Sequence, residues 1–371
     1  ALPIYGFVVA ATAGGTVSAG NYVNMAGGQD NPPGDPGTTV LTLGEKEYTV
    51  ASKNINFSAT RDATKFNQTY DGAGFVTPAM HSTGAATPVS LGTFVNPQGS
   101  LGQTLLVLCR EAIQVWHVEA DDENNEMLQV IEDAGTRAGA ANIGFGAVHT
   151  FLNHNGFCAI TKATDSSNTA EVAEIGAPVN GELNAYMATL TQNQRDAAVA
   201  AVEPKDKRLW FAVGQRVYVL SNFREAQVSG WSRYDLEFII SDMTTLNRQL
   251  YCRSGNTIYA YGGTDGATYD ACRVTVRVAN VDAGKPAGFK TLQAADYALT
   301  GVWNVATTNN ASPSNQLATI GNLTGTTFND PIVPLNGHEA NIAVEMVHEK
   351  TEGAVLSQIV LHYQYDQSPE G

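Results

Sequence analysis

Short runs of large apolar residues, each bounded by Gly, Asn or Asp, recur along the chain, and this pattern is typical of β-strands. The clearest alternation lies in Arg273–Val278, where one face is apolar and the other polar. The main runs that predict strands are Ile4–Ala10, Thr104–Cys109, Ile113–Val118, Val148–Leu152, Phe157–Thr161, Leu209–Val213, Val217–Leu220, Leu250–Arg253, Thr257–Tyr261, Cys272–Val278, Ile342–His348 and Leu356–Tyr365. Helical patterning is strongest over Leu190–Val202, which opens with a capping box of Thr191 and Gln194 and ends before Pro204. The pattern therefore predicts an all-β protein with one or two short helices.

A strand–turn–strand unit repeats along the sequence. Arg208–Leu220 turns at Gly214, and Gln249–Tyr261 has the same pattern in the same register, with its turn at Gly255. Two looser copies are Leu105–Trp116 and Thr150–Ile160. A hairpin that recurs every 40 to 60 residues is typical of propeller blades, because one hairpin cannot bury its apolar face alone. We therefore predict a β-propeller-like fold with long inserted loops or arms and extra β-strands at the termini.

The repeats also suggest how the chain is organised. We predict propeller blades over residues 101–280. Residues 1–100 are predicted as N-terminal strands and long loops that partly complete the propeller or contact neighbouring subunits, and residues 281–371 as an Asn/Thr-rich connection with closing C-terminal strands. The stretches poorest in large apolar residues, predicted as loops, are 11–38, 80–100 and 301–337. Because connections this long are uncommon inside a self-contained domain, we expect them to clasp a partner or close over a ligand.

The charge balance narrows the choice of partners. The chain has 21 basic and 36 acidic residues, a formal net charge of −15. Such a surface repels phosphate groups, so a DNA-gripping groove is not expected, whereas a channel wall along which DNA slides is compatible with it. No run of 18 apolar residues and no basic-then-apolar leader occurs, so we expect neither a membrane span nor a secretory signal.

Cysteines and carboxylates give no metal-site pattern. The four cysteines, whose spacings match no zinc framework, are Cys109, Cys158, Cys252 and Cys272. The first three lie in apolar runs, so we expect buried, reduced thiols and maturation in a reducing compartment. The acidic run Glu119–Glu123 with Glu126 lacks the spacing and central Gly of an EF-hand loop, and is predicted as a solvated turn.

The histidines do not assemble a metal site either. His149 and His154 have opposite parity in an extended hairpin, so their side chains are expected on opposite faces. His348 and His362 lie on the two final strands and could be cross-strand neighbours, without a third ligand. We assign no metal and no cofactor.

No catalytic set is found in the sequence. Gly-x-Ser-x-Gly, Walker and Gly-x-Gly-x-x-Gly motifs do not occur in a fitting context, and Gly144–Gly146 is predicted as a bend. Asp206, Asp235 and Asp242 are candidates for a glycosidase carboxylate pair only because they lie near strand ends. We therefore expect no enzymatic activity and assign no catalytic or cofactor-binding residue.

Six aromatic residues of the repeats have two possible roles. They are Trp210, Tyr218, Trp231, Tyr251, Tyr259 and Tyr261. They could form a sugar-binding rim, but packing between blades is favoured, since large rings at strand positions bury much area.

The repeats carry a family resemblance. The stretch from Glu203 to Gly263, with its two Gly-turn hairpins and the intervening Ser-Gly-Trp-Ser-Arg-Tyr-Asp, resembles the β-propeller of nozzle or hub proteins of short-tailed bacteriophages. This group is also called tail tubular protein B or packaged-DNA stabilisation protein. Gln114–Trp116, Ile143–Val148 and Asn155–Phe157 look like the preceding blades of those proteins. The resemblance covers roughly residues 103–263.

The resemblance implies a structural subunit of a viral tail. Such a protein forms a homohexameric ring below the portal and adaptor, extends the DNA channel, and helps to retain packaged DNA until ejection. DNA would pass through without specific binding, and tail fibres or spikes are further candidate partners. The expected location is the virion tail, after assembly in the host cytoplasm. The family has no catalytic residues to transfer, and the first hundred residues of this chain do not match it.

Two alternatives remain open at the level of sequence. A carbohydrate- or receptor-binding propeller, acting as an adhesin, would have shallow pockets lined by aromatic and amide side chains. A propeller glycoside hydrolase would have a cluster of carboxylates with shifted pKa values on the central axis.

Overall fold

The computed structural model describes residues 7–11, 41–43, 45–51, 53–80, 87–93, 103–119, 121–146, 148–162, 170–223, 228–263, 273–277, 290–308, 318–328, 333–339, 343–349 and 354–365. The chain divides into two compact units. The larger unit contains residues 9–260, and the smaller unit contains residues 261–371 together with residues 1–8.

Five four-stranded antiparallel sheets make up most of the larger unit. The N-terminal strand is β1 (Phe7–Ala11). The first sheet contains, in order, β2 (Leu41–Leu43), β3 (Lys46–Ala51), β4 (Asn54–Phe57) and β5 (Gly74–Val76). The second contains β6 (Pro88–Thr93), β7 (Gln103–Cys109), β8 (Ala112–Val118) and β9 (Glu126–Glu132). The third contains β10 (Asn142–Phe145), β11 (Val148–Leu152), β12 (Phe157–Lys162) and β13 (Ala170–Glu174). The fourth contains β14 (Val199–Glu203), β15 (Arg208–Val213), β16 (Arg216–Phe223) and β17 (Val228–Asp235). The fifth contains β18 (Asp242–Leu246), β19 (Gln249–Ser254) and β20 (Thr257–Tyr261), with β1 as its fourth strand.

The order of these sheets is that of a propeller. Each of the first four sheets is an up-and-down meander of consecutive strands, and the first strands β6, β10, β14 and β18 lie next to one another in succession. In the fifth sheet the outer strand β1 comes from the N-terminal part of the chain, whereas its other three strands are consecutive. Propellers are built from such repeated four-stranded sheets, whose edge strands are short and protected. The predicted all-β, propeller-like fold is confirmed.

The predicted repeat marks the middle hairpin of a sheet in every case. The four predicted hairpins are β7–β8, β11–β12, β15–β16 and β19–β20, the central strand pairs of the second to fifth sheets. Gly214 and Gly255 adopt φ of +59° and +56° in their turns, a region that glycine enters without a Cβ clash. The first sheet has the corresponding hairpin β3–β4, which the sequence pattern does not predict because polar residues such as Lys46, Glu47 and Asn54 interrupt its apolar run.

Central strands of the larger unit are buried on both faces. In β7, Leu105 packs in a cluster with Tyr48 of the first sheet, whereas its neighbour Leu106 packs with Phe151 of the third. Successive side chains of a strand point to opposite faces, so a strand between two sheets needs apolar residues at every position. This explains the continuous apolar run in β7.

Two helices connect the third and fourth sheets. They are α1 (Ala177–Met187) and α2 (Gln192–Asp196). The predicted capping box of Thr191 and Gln194 is present. The predicted helix over Leu190–Val202 ends already at Asp196, because the residues that follow are alternately buried and form β14, which pairs with β15. Helix α1 was not predicted, because Pro178 and Gly181 interrupt its pattern. Among the described residues, no helix has the length and apolar character needed to cross a membrane.

The smaller unit contains two antiparallel sheets. Its strands are β21 (Val274–Arg277), β22 (Lys290–Thr300), β23 (Trp303–Thr308), β24 (Ala318–Leu323), β25 (Val333–Glu339), β26 (Ala343–His348) and β27 (Val355–Tyr365). One sheet has the order β21–β26–β23–β24 and the other β25–β22–β27. Trp303, Val305 and Met346 from the first sheet share a core with Tyr297 and Leu299 from the second, so the two sheets pack face to face as a sandwich.

The structure shifts several predicted boundaries. Four-stranded sheets begin at Leu41 and the larger unit ends at residue 260, whereas the sequence placed the blades over residues 101–280. The predicted loop 80–100 contains β6, and 301–337 contains β23, β24 and part of β25, whose many Thr and Asn residues mask their strand pattern. The predicted loop 11–38 lies outside the described residues except for Ala11, the last residue of β1.

The cysteines of the described part of the chain are buried in sheets of the larger unit. Cys109, Cys158 and Cys252 are free thiols, as the sequence predicted from their apolar surroundings. Burial raises the pKa of Cys109 to about 12 and that of Cys158 to about 11, and it also raises the pKa of Cys252. Thiols held protonated in this way are poor nucleophiles and poor metal ligands. Cys272 lies outside the described residues.

Candidate functional site: an arginine-lined cleft

A cleft lies where connections of the second, third and fourth sheets meet. Because strands in each meander are antiparallel, the β7–β8 turn, the β9–β10 loop, the β11–β12 turn and the helical connection between β13 and β14 leave the sheets at the same end. They enclose a cavity of about 650 Å³. We call it the arginine cleft, and its lining includes Arg110, Glu111, Arg137, Leu152, His154, Asn184, Met187, Arg195 and Asp196.

The β9–β10 loop is held tightly against the β7–β8 turn. A Cβ on Gly135 would lie 2.2 Å from the carbonyl carbon of Arg110, so only glycine allows this approach. Thr136 joins the loop to both sheets, since its backbone N–H donates to the Cys109 carbonyl (2.8 Å) and its hydroxyl donates to the Leu152 carbonyl (2.5 Å). These contacts fix Arg110 and Arg137 on neighbouring segments of the cleft.

Helix α1 is docked on the β11–β12 turn by two asparagines. The Asn180 Oδ1 accepts from the Phe157 backbone N–H (3.1 Å), and Asn184 Nδ2 donates to the Asn155 carbonyl (3.0 Å). Gly156 in that turn has a φ of +133°, and a Cβ there would lie 2.1 Å from Asn180 Oδ1. The sequence of the turn therefore sets the position of Asn184 at the cleft.

Helix α2 supplies the third arginine. Its capping box starts the helix at Gln192, and Gln192 Nε2 donates to Asp196 Oδ1 at 2.6 Å. Asp196 thus already has a partner, and Arg195 lies beside it in the lining of the cleft.

The three arginines of the cleft make no ion pair with any described acidic residue. Several other guanidinium groups of the larger unit are paired, as where Arg216 and Arg233 both contact Glu182 and Asp235. Two buried polar atoms in the cleft lining, Arg195 Nε and Asn184 Oδ1, have no hydrogen-bond partner among the described residues. One is a donor and the other an acceptor, so a ligand carrying both kinds of group could complete them.

The predicted candidate histidines are separated by the structure. His149 is buried on β11, its Nε2 lies 3.0 Å from Asn142 Oδ1, and desolvation lowers its pKa to about 4. His154 is exposed in the turn that follows β11, so it does not lie on a strand face as the parity argument assumed. His348 and His362 are not cross-strand neighbours, since β26 and β27 belong to different sheets. His348 Nδ1 lies 2.8 Å from the Val302 carbonyl, and His362 Nε2 lies 2.9 Å from Asp296 Oδ2.

The candidate carboxylates also stay apart. Asp206 pairs with Arg208 at 2.8 Å at the start of β15, while Asp235 ends β17 at the opposite end of the fourth sheet. Asp242 Oδ1 accepts from the backbone N–H of Met243 (2.9 Å). None of the three lines the arginine cleft.

The acidic run is a solvated turn, as predicted. Residues 122–124 form one 3-10 turn between β8 and β9, and Asp121 and Glu123 are exposed. Across the residues that the structure describes, no group of three or more His, Cys, Asp or Glu side chains could hold a metal ion.

The repeat aromatics pack between sheets. Phe157 of the third sheet stacks on Phe211 (4.5 Å between ring centroids) and Trp231 (4.9 Å) of the fourth, close to Tyr218. Trp210 stacks on Tyr234 at 5.7 Å. Tyr218 and Trp231 contact a ring of the neighbouring sheet, which confirms the packing interpretation for these two. Trp210 and Tyr261 are buried, and Tyr251 and Tyr259 are half-buried.

The arginine cleft itself was not predicted from the sequence. Its arginines lie in three connections at positions 110, 137 and 195, so no local spacing joins them. The one sequence motif near these arginines is the capping box before Arg195, and a capping box indicates where a helix begins, not which residue binds a ligand.

Comparisons with known proteins assign the chain to no family. No protein-family model and no curated protein matches the chain. Among solved structures, BamB from Moraxella catarrhalis is similar with a TM-score of 0.37 and 10% identity, over 63% of this chain and 61% of that one. The extracellular domain of BT4673 from B. thetaiotaomicron, described as a one-component system, has a TM-score of 0.38 and 8% identity, over 81% of this chain and 43% of that one. The chain thus spans less than two thirds of either protein's length, and at these scores neither function carries over.

Proposed function

We propose that this protein is a non-enzymatic structural subunit of a viral tail, forming a nozzle or hub ring that extends the DNA channel below the portal and adaptor. The observation that carries the proposal is the position of the resemblance. Residues 103–263, which resemble the propeller of short-tailed phage nozzles, span β7 to β20, that is, the second to fifth four-stranded sheets without their outer strands β6 and β1.

The charge of the chain supports the same function. With a formal net charge of −15, the protein as a whole disfavours phosphate binding, which suits a channel through which DNA passes without specific contacts. In this proposal the subunits form a closed homohexamer, help to retain DNA and then release it, and act in the virion tail after assembly in the host cytoplasm. Tail fibres or spikes would attach at the far end.

The proposal is tested by the mass of the full chain in solution, measured by native mass spectrometry with negative-stain images of the same sample. We expect rings with a central hole, formed by the protein alone or on addition of the adaptor assembly. A monomer that stays monomeric with all tail components would contradict the proposal.

A second measurement tests the channel argument. Mixed with duplex DNA at about 50 mM salt, where phosphate contacts are stronger than at physiological salt, the protein should not retard the DNA in a gel. Tight, salt-sensitive retardation would contradict the sliding-channel function even if rings form.

A further inference from the structure

We propose that the arginine cleft binds a small hydroxylated carboxylate, with acidic monosaccharides as the simplest class. The proposal goes beyond a role in a tail ring and does not depend on it.

The cleft gathers positive charge in an acidic protein. Acidic residues outnumber basic ones 36 to 21 in this chain, yet Arg110, Arg137 and Arg195 line one cleft without an ion pair to any described residue. Guanidinium groups bind carboxylates through paired, charge-assisted hydrogen bonds. Three such groups around one cavity create a local site for an anion in a protein that repels anions overall.

The cleft lining contains one buried donor and one buried acceptor without hydrogen-bond partners among the described residues. Arg195 Nε needs an acceptor and Asn184 Oδ1 needs a donor, and both atoms are buried. Leaving a buried polar atom without a partner is unfavourable. A ligand with a carboxylate and neighbouring hydroxyl groups supplies both partners, whereas a simple anion without a proton to donate supplies only one.

The size and the lining of the cleft also fit a small sugar acid. A cavity of about 650 Å³ is much larger than one carboxylate ion needs and lies in the range of small-molecule sites, roughly 300–1,000 Å³. Leu152, Met187 and Ala138 give it an apolar part against which the C–H face of a sugar ring can pack. Glu111 and Asp196 also line the cleft, and these carboxylates disfavour a doubly charged phosphate relative to a singly charged carboxylate.

The test is calorimetric titration of the full-length protein with D-glucuronate and, in parallel, with D-glucose, at about 50 mM salt. The two probes differ by a carboxylate in place of a hydroxymethyl group. We expect glucuronate to bind and glucose to bind at least about tenfold more weakly, since charge-assisted hydrogen bonds are the stronger ones. Salt at about 0.5 M should weaken glucuronate binding through screening.

Variants locate the site. Arg195→Gln, and separately the exposed Arg137→Gln, should each weaken glucuronate binding about tenfold or more. Arg248→Gln is the matched control, because Arg248 is an exposed arginine of the same unit that does not line the cleft, and its binding should equal that of the unchanged protein. Thermal unfolding of each variant checks that the fold is retained.

Four results would overturn the proposal. Glucuronate binding that is unchanged in both cleft variants would place the site elsewhere. Equal affinity for inorganic phosphate and glucuronate would mean that the cleft binds anions in general and does not select a hydroxylated carboxylate. Binding of a hexaglutamate peptide by a protein that does not bind glucuronate would mean that the cleft is a docking surface for acidic protein segments. No binding of glucuronate at millimolar concentrations would exclude the proposed class. All are distinct from failure of the ring proposal, which is decided by the mass of the assembled protein.

Discussion

The larger and smaller units bury their strands in different ways. In the larger unit β15 is buried at all six positions, because its sheet packs against apolar side chains on both faces. In the smaller unit β21 alternates between half-buried and exposed residues, and β27 keeps Val355 and Tyr363 exposed while Leu356 and Leu361 pack in the core. The larger unit therefore has a series of cores shared by neighbouring sheets, and the smaller unit has one core between two sheets.

The largest effect is expected for a side chain at an interface between sheets of the larger unit. Phe157 is fully buried and contacts three aromatic rings of the fourth sheet. Phe157→Ala should lower the free energy of unfolding by about 3–5 kcal/mol, measured by urea unfolding, because it leaves a cavity between two sheets. Phe75→Ala is the control in the same unit, since Phe75 is 47% exposed, and should cost less than about 1 kcal/mol. Equal losses in the two variants would contradict shared cores between sheets.

A buried histidine makes the neighbouring interface, between the second and third sheets, sensitive to pH. The folded protein keeps His149 neutral down to about pH 4, whereas the unfolded chain binds a proton near pH 6.5. Between these values the unfolded state holds more protons, so stability is full above pH 6.5 and falls as the pH is lowered. The loss should approach about 1.4 kcal/mol per pH unit and reach about 3 kcal/mol near pH 4.

The measurement compares urea unfolding at several pH values in this range. His149→Gln should lack this component of the pH dependence, whatever its stability at pH 7. His154→Gln is the matched control, because His154 is exposed in the next turn, and it should retain the full slope. A slope that persists in His149→Gln would assign the pH dependence to other groups.

A glycine of β6 accommodates the same imidazole ring. A Cβ on Gly92 would lie 2.3 Å from the His149 ring, whereas a Cβ on Gly144 of β10 would meet nothing within 4 Å. Gly92→Ala should therefore lower the free energy of unfolding by about 2–3 kcal/mol through overpacking. Gly144→Ala should change it by less than about 0.5 kcal/mol. If the double variant Gly92→Ala with His149→Ala were as unstable as the two single losses added together, the steric explanation would be wrong.

The difference in strand burial between the two units also explains how much of the fold could be predicted from the sequence. Strands buried on both faces give long apolar runs, and the Gly turns at Gly214 and Gly255 made the repeat visible. The first sheet is not predicted as a blade because polar residues, Lys46 and Asn54 among them, interrupt its central hairpin, although Lys46 is buried at 2% exposure. In the smaller unit the sequence pattern predicts the long strand β27, but it predicts a loop where the Thr- and Asn-rich strands β23 and β24 lie.

The candidate site could not be predicted for a separate reason. A net charge of −15 argues against anion binding on average, but the field at one point depends on which side chains the turns bring together. Arg110, Arg137 and Arg195 meet only because the β7–β8 turn, the β9–β10 loop and helix α2 leave the sheets at one end. That meeting follows from the topology of three sheets and has no signature within any single segment.

The smallest effect is expected for a polar contact at the single core of the smaller unit. Thr327 is buried, and its hydroxyl accepts from the Tyr297 backbone N–H (2.8 Å) and donates to Asp296 Oδ1 (3.0 Å). Thr327→Val keeps the shape but leaves a buried N–H without its acceptor, so the free energy of unfolding should fall by about 1–2 kcal/mol in urea unfolding. Thr326→Val is the matched control, because the exposed Thr326 donates a single bond to the Tyr297 carbonyl (3.0 Å) that water can replace. If Thr327→Val lowered the free energy of unfolding no more than Thr326→Val, the smaller unit would tolerate an unpaired backbone N–H at its core. The contrast between the two units would then rest on apolar packing alone.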